Sequence, residues 1–343
     1  MLLIRCAHFR RRARRALREG FLCGCGAGWL LSCTSPAEHS NPFDPQSPLY
    51  TTNGRLAGVV TGFYQPYRPL SGAMVQVQPA GLATNTDSQG GFFIDNLVPG
   101  VYTAIASAAG YAADTASIEV IARQSRRFEF RLDGLPVVQS PRVVSTHVST
   151  RESVIDQFFM EVGVELSDPD GANDIKKARV QIPSVGFADT LSRGAGPTRW
   201  QRIFTPDELA GIDLYNLTGA SFQLLVEDFP GEQTTSETFF LTRVIAEVPQ
   251  AVSPTDGITL QIDSPTFIWQ LAPIPFNHTL RVEVFRLVAG FPTFIAAIGN
   301  IAAASTSVKY PGRLASGNYY WTVKLIDDFG NSSRSKEATF QIQ

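Results

Sequence analysis

Apolar residues recur at every second position in one segment of the chain after another. In "SGAMVQVQP", Ala73, Val75 and Val77 fall on one side of an extended backbone and Met74, Gln76 and Gln78 on the other. In "RRFEFRL", Phe128, Phe130 and Leu132 alternate with Arg127, Glu129 and Arg131. Met160, Val162, Val164 and Leu166 alternate in the same way with Glu161 and Glu165, and Tyr319, Trp321, Val323 and Leu325 share one face. A period of two marks a strand with one face buried and one wet, and such strands pair antiparallel. Turn clusters separate them: "TDSQGG", where Gly90 and Gly91 suit positive φ, and "VPG", where Pro99-Gly100 suits a type II turn. The 23 Phe and nine Tyr favour strands, and the 28 Gly and 22 Pro favour turns. The expected fold class is all-β, as tandem β-sandwich domains. One short helix is expected at "TPDELAG", with Thr205 as N-cap, Pro206 at the first helical position and Glu208 closing a capping box.

Net charge is −2, but it is unevenly spread. Residues 1–32 hold seven arginines and one acid, and the rest has 22 basic against 30 acidic residues. A body of that sign repels phosphate backbones, which excludes nucleic acid as a partner. The arginines precede an apolar run at 20–32, too short to span a bilayer and suited to the h-region of an export signal. Three of the four cysteines, Cys6, Cys23 and Cys25, fall inside this segment, so no disulfide framework is expected. The fourth closes "LLSC", which resembles the processing box of bacterial lipoproteins. That resemblance implies cleavage before Cys33 and a diacylglycerol on its thiol, with the membrane as partner through the lipid. Thr34 in place of an aspartate implies the outer membrane. Residues 33–53, with Pro36, Pro42, Pro45 and Pro48, read as an extended tether.

The order "GRLAGVVTG", "PLSGAMVQVQ", "TNTDSQGGFFIDNLVPGVYTAIASAAGYAA", "SIEVIARQSRRFEFRL" over 54–135 resembles the carboxypeptidase regulatory-like domain. The resemblance implies a transthyretin-like, seven-stranded sandwich without catalytic residues. Residues 136–247 resemble a bacterial Ig-like domain, and 248–343 a fibronectin type III module in which Trp269 and Trp321 are expected core partners. "LLVEDFPGEQTTSETFFL" and "KLIDDFGNSSRSKEATFQI" echo each other, which suggests two related sandwiches with complete cores that share no strands.

Catalytic patterns are missing from the sequence. His39, His147 and His278 are scattered, and no His-Glu-x-x-His, Gly-x-Ser-x-Gly or phosphate loop occurs. No cofactor is expected. "SDPDGAND" reads first as a β-turn whose acids bond their own backbone. Its second reading is a Ca²⁺ loop in which Asp168, Asp170, Asn173 and Asp174 supply hard oxygen donors. Phe63, Tyr64 and Tyr67 in "GFYQPYRP" read as a cover on the sandwich end, or else as ligand-contact aromatics that stack on sugars. The expected function is that of a non-enzymatic, lipid-anchored surface protein serving protein interaction, scaffolding or adhesion. The alternative is a carbohydrate-binding accessory of a glycan-uptake system, with an envelope hydrolase third, so the partner is an envelope protein or a glycan.

Overall fold

The structure is a computed structural model and describes residues 41, 44–152, 154–209 and 211–343. Cys33 and residues 1–32, expected to be an export signal, lie outside the described residues. The chain divides into Met1–Thr51 and Thr52–Gln343. In the first unit, the described residues make successive turns where extended chain was expected. Asp44 Oδ1 accepts the Gln46 N–H at 2.9 Å and Ser47 Oγ accepts that of Leu49 at 3.1 Å, local bonds that compete with extension.

The second unit begins with seven strands: β1 (Gly54–Gly62), β2 (Met74–Gln78), β3 (Leu82–Asn85), β4 (Gly91–Leu97), β5 (Gly100–Ser107), β6 (Asp114–Val120) and β7 (Ser125–Leu132). They form two sheets, β4-β1-β7 and β3-β2-β5-β6. Ala73, Val75 and Val77 are fully buried between them, with Val60, Phe130 and Leu132 from the facing sheet. The first strand and the last, β1 and β7, run parallel from Arg55↔Ser125 to Gly62↔Leu132. Gly90 takes φ +71, and a Cβ there would stand 2.5 Å from the Val60 carbonyl oxygen, so only glycine fits. The expected type II turn does not form. Gly100 opens β5 without a positive φ, and the left-handed residue nearby is Asn96 at +61. Tyr102 sits in the core edge and donates its hydroxyl to the Val98 carbonyl at 2.7 Å.

Next come β8 (Val137–Val148), β9 (Gln157–Ser167), β10 (Ile175–Ile182), β11 (Phe187–Thr190), β12 (Ser192–Arg193), β13 (Arg199–Phe204), β14 (Ser221–Asp228), β15 (Gln233–Thr235) and β16 (Phe239–Phe240). The sheets β12-β13-β9-β8 and β11-β10-β14-β15 enclose a second core around Met160, Val162, Leu166 and Phe222. The capping box at Thr205 forms, with the Thr205 N–H donating to Glu208 Oε2 at 2.9 Å and the Glu208 N–H to Thr205 Oγ1 at 3.4 Å. No helix follows it. The segment stays a turn, ended by Gly211 at φ +80, because a single turn fixes several dihedrals for very few backbone bonds.

The last strands are β17 (Gln250–Ser253), β18 (Ile258–Leu260), β19 (Thr266–Gln270), β20 (His278–Val288), β21 (Phe291–Ala302), β22 (Ser307–Lys309), β23 (Gly317–Asp327), β24 (Ser332–Arg334) and β25 (Ala338–Ile342). Their core holds Trp269 and Trp321 together, as expected, though the ring recorded against Trp321 is Phe267, at 4.9 Å between centroids. Trp321 donates its indole N–H to the Pro254 carbonyl at 2.8 Å.

The second and third cores are separate, yet their sheets are not. β24 pairs antiparallel with β23 and parallel with β8, Thr146 to Val148 lying against Ser332 to Arg334. This joins a ten-stranded sheet and corrects the expectation that no strand is shared. Asn331 closes the junction: its Oδ1 accepts the Ser145 N–H at 2.9 Å and its amide donates to Thr242 Oγ1 at 2.8 Å.

Candidate metal centre

The "SDPDGAND" string is the β9–β10 connection, and its first reading is correct at the backbone. Asp168 Oδ1 accepts the Asp170 N–H at 2.8 Å, the Gly171 N–H reaches the Asp168 carbonyl at 3.0 Å, and Gly171 takes φ +117. These bonds satisfy one oxygen of Asp168 and leave Oδ2 buried without a hydrogen-bond partner. Asn173 is exposed.

Two further aspartates, which sequence reasoning missed, come from elsewhere. Asp133 directly follows β7, where the chain leaves the first sandwich. Asp228 ends β14, opposite Ile175 at the start of β10. Oxygens of Asp133, Asp170 and Asp174 lie within 4.8 Å of one another, and so do oxygens of Asp168, Asp174 and Asp228. The shared Asp174 makes one cluster of the two sets. Glycine allows the approach. The Gly134 N–H donates to Asp170 Oδ2 at 2.7 Å, and a Cβ on Gly134 would meet Asp168 Oδ1 at 2.7 Å.

The cluster is buried and short of partners. Asp228 is 0% exposed, Asp174 6% and Asp133 7%. Both oxygens of Asp133 lack a hydrogen bond, as does Oδ2 of Asp168, Asp174 and Asp228. Among the described residues no lysine or arginine forms an ion pair with any of the five. Burial, then the charges of Asp228, Asp174, Asp170 and Asp168, push Asp133 up to about 7. Burial raises Asp168 to about 6, against the opposing bond from the Asp170 N–H. Asp174 is raised chiefly by burial, and the Tyr64 hydroxyl, donating to its Oδ1 at 2.7 Å, partly offsets this.

Tyr64 thus reaches from the β1 end of the first sandwich to the β9–β10 loop of the second. Its hydroxyl pKa is raised by burial and by that same carboxylate. Phe63 packs edge-on against it at 5.1 Å, and Arg131 covers the Tyr67 ring at 4.2 Å. Phe63 and Tyr64 stay 40% exposed, and the residues packed against the first core at this end are Leu70 and Tyr111. A surface cleft lined by Tyr64, Arg68 and Tyr111 has Asp170, one of the five acids, in its wall.

With no cysteine or histidine in it, this donor set is suited to a hard cation. Neither of the described histidines belongs to the two carboxylate sets. His147 is 3% exposed, and its two nitrogens contact the Ile245 carbonyl and Asp156 Oδ2, each at 3.0 Å. His278 points Nδ1 at the Phe276 carbonyl, 2.9 Å away.

Residues 55–133 match the carboxypeptidase regulatory-like domain family. Among solved structures, the three fibronectin domains FN1–FN3 of chicken CNTN1 align at a TM-score of 0.30 and 11% identity, over 81% of this chain and 92% of that one. The fibronectin(III)-like modules of Clostridium thermocellum CbhA align at 0.28 and 11%, over 61% of this chain and 93% of that one. No curated protein matches the sequence.

Proposed function

We propose that the chain is a non-enzymatic envelope protein, held at the outer membrane by a diacylglycerol on Cys33, whose sandwiches bind a protein partner in adhesion or scaffolding. The observation that carries this reading is the free edge at β21. Among the described strands β21 pairs with β20 alone, and it ends the ten-stranded sheet. It presents Phe291 at 75%, Phe294 at 54% and Ile295 at 40% exposure. A long apolar edge of unpaired backbone groups invites another strand, and monomeric proteins usually blunt such edges with charge, proline or bulges. Here Pro292 and two register shifts against β20 interrupt the edge without removing its apolar side chains.

The test is cross-linking on native membranes with the lipidated chain, wild type against a Phe291→Lys, Phe294→Lys double variant. Recovery of a partner with the wild type, and at least tenfold less with the variant, is expected. Equal recovery with both overturns the reading. The mass of the mature N-terminus tests the anchor separately, since an unmodified Cys33 thiol removes it.

One observation favours the carbohydrate-binding alternative. Tyr320, Phe285 and Phe294 form a row of rings across β23, β20 and β21, with centroids 4.8 and 5.6 Å apart. Aromatic faces of this kind stack on sugars. Retention of the full chain on a glycan array, abolished by Phe294→Ala, would favour this reading over the first.

A further inference from the structure

We infer that the five aspartates bind Ca²⁺, and that the ion fastens the first sandwich to the second. The inference holds whatever partner the β21 edge takes.

The buried oxygens without hydrogen-bond partners are the first ground. Asp133, Asp174 and Asp228 are each more than nine-tenths buried, and together they aim four such oxygens into the cluster. Ionised carboxylates placed so cost several kcal/mol apiece unless a cation compensates them.

The second ground comes from within the chain. The β14–β15 and β23–β24 hairpins are structural repeats. The Asp228 N–H donates to the Glu232 carbonyl and the Asp327 N–H to that of Asn331. Asp228 Oδ1 accepts the Gly231 and Glu232 N–H groups, and Asp327 Oδ1 those of Phe329 and Asn331. Ser236 and Ser335 each bond back to β14 and β23 through hydroxyl and amide, at Leu224 and Val323. The second oxygens then differ. Asp327 Oδ2 receives the Arg243 guanidinium at 2.8 Å, from the connection that enters the third sandwich. At the Asp228 junction the connection entering the second sandwich supplies Asp133, another acid. Where one junction carries its own positive charge, the other brings five carboxylates together and leaves the charge to be supplied from solution.

The chemistry selects the ion. Ca²⁺ takes six to eight oxygens at about 2.3–2.6 Å, so opposed ligands stand roughly 4.8 Å apart. The oxygens of each aspartate set fall within that span. Mg²⁺ needs a tighter octahedron and keeps its waters.

Calorimetric titration of CaCl₂ into the chelator-stripped full chain tests this, with melting followed in parallel. Saturable heat is expected, with a rise in melting temperature of about 5–10 °C at a hundredfold excess over the dissociation constant. Asp133→Asn should abolish both responses while raising the melting temperature of the chelated chain, because it removes one repelling charge. Wild-type protein that neither binds Ca²⁺ nor melts higher with it overturns the inference. So does an Asp133→Asn variant that keeps the full calcium response.

Discussion

Arg243 and Asp327 show what a buried carboxylate needs when its charge is met from within the chain. The Asp327 side chain is 0% exposed and its salt bridge to Arg243 measures 2.8 Å, while the Arg243 ring-facing side lies over Phe276 at 3.8 Å. Arg243→Ala should lower unfolding free energy by about 3–5 kcal/mol in urea, the range for removing one partner of a buried pair. Arg243→Lys should cost less, since it retains the charge without the planar fork. The aspartate cluster makes an opposite prediction with pH. Asp133 and Asp168 have folded-state pKa values raised to about 7 and about 6, so in the absence of a cation the folded chain holds protons that the unfolded chain releases near 4. That contribution is fully present below about pH 4 and is lost as pH rises through 6 and 7. Melting of the chelated chain between pH 4 and 8 should fall accordingly, and Asp133→Asn should flatten the decline. Three of the five acids were legible in sequence because one loop holds them. Asp133 and Asp228 were not, because strand ends far apart in the chain meet only after the sandwiches have formed. The echo between the two hairpins is the sequence signal for Asp228, but the matching letters pair it with Asp328, and only the hydrogen bonds show that its counterpart is Asp327.

Among elements, the strands were legible because a period of two needs no tertiary information. Ala73, Val75 and Val77, and Tyr319, Trp321, Val323 and Leu325, are all buried as that alternation requires. The helix at Thr205 was not, although its cap was. Reciprocal Thr205 and Glu208 bonds mark a helix start in sequence, but they measure only local satisfaction of backbone donors. Here they hold a turn, tied also to Arg202 through Glu208 Oε1 at 3.0 Å. Glu208→Ala should therefore lower the denaturation midpoint slightly, as a lost cap does, and leave the far-ultraviolet spectrum free of any loss of helical signal. A helical decrease in that spectrum would contradict the turn. The β8–β24 pairing was illegible for a different reason: three residues on each side carry no pattern that names a partner strand.

For the whole molecule, that short parallel pairing couples two cores into one sheet. Ser145, His147, Asn331, Ser332 and Ser333 are buried along it, so opening the junction exposes polar groups that have lost their partners. The second and third sandwiches should melt in a single calorimetric transition. Ser333→Pro, which removes an amide from a strand paired on both edges, should split that transition in two; a transition that stays single would mean the junction contributes nothing. The first sandwich carries a different consequence in the first and last of its strands. The chain enters this sandwich at the start of β1 and leaves it at the end of β7, and the two strands run parallel from Arg55 to Gly62. Opposed forces applied at those two ends pull the strands in opposite directions along their common axis. Every rung of the β1–β7 ladder then bears load at once instead of peeling one by one, so this sandwich meets such forces in shear.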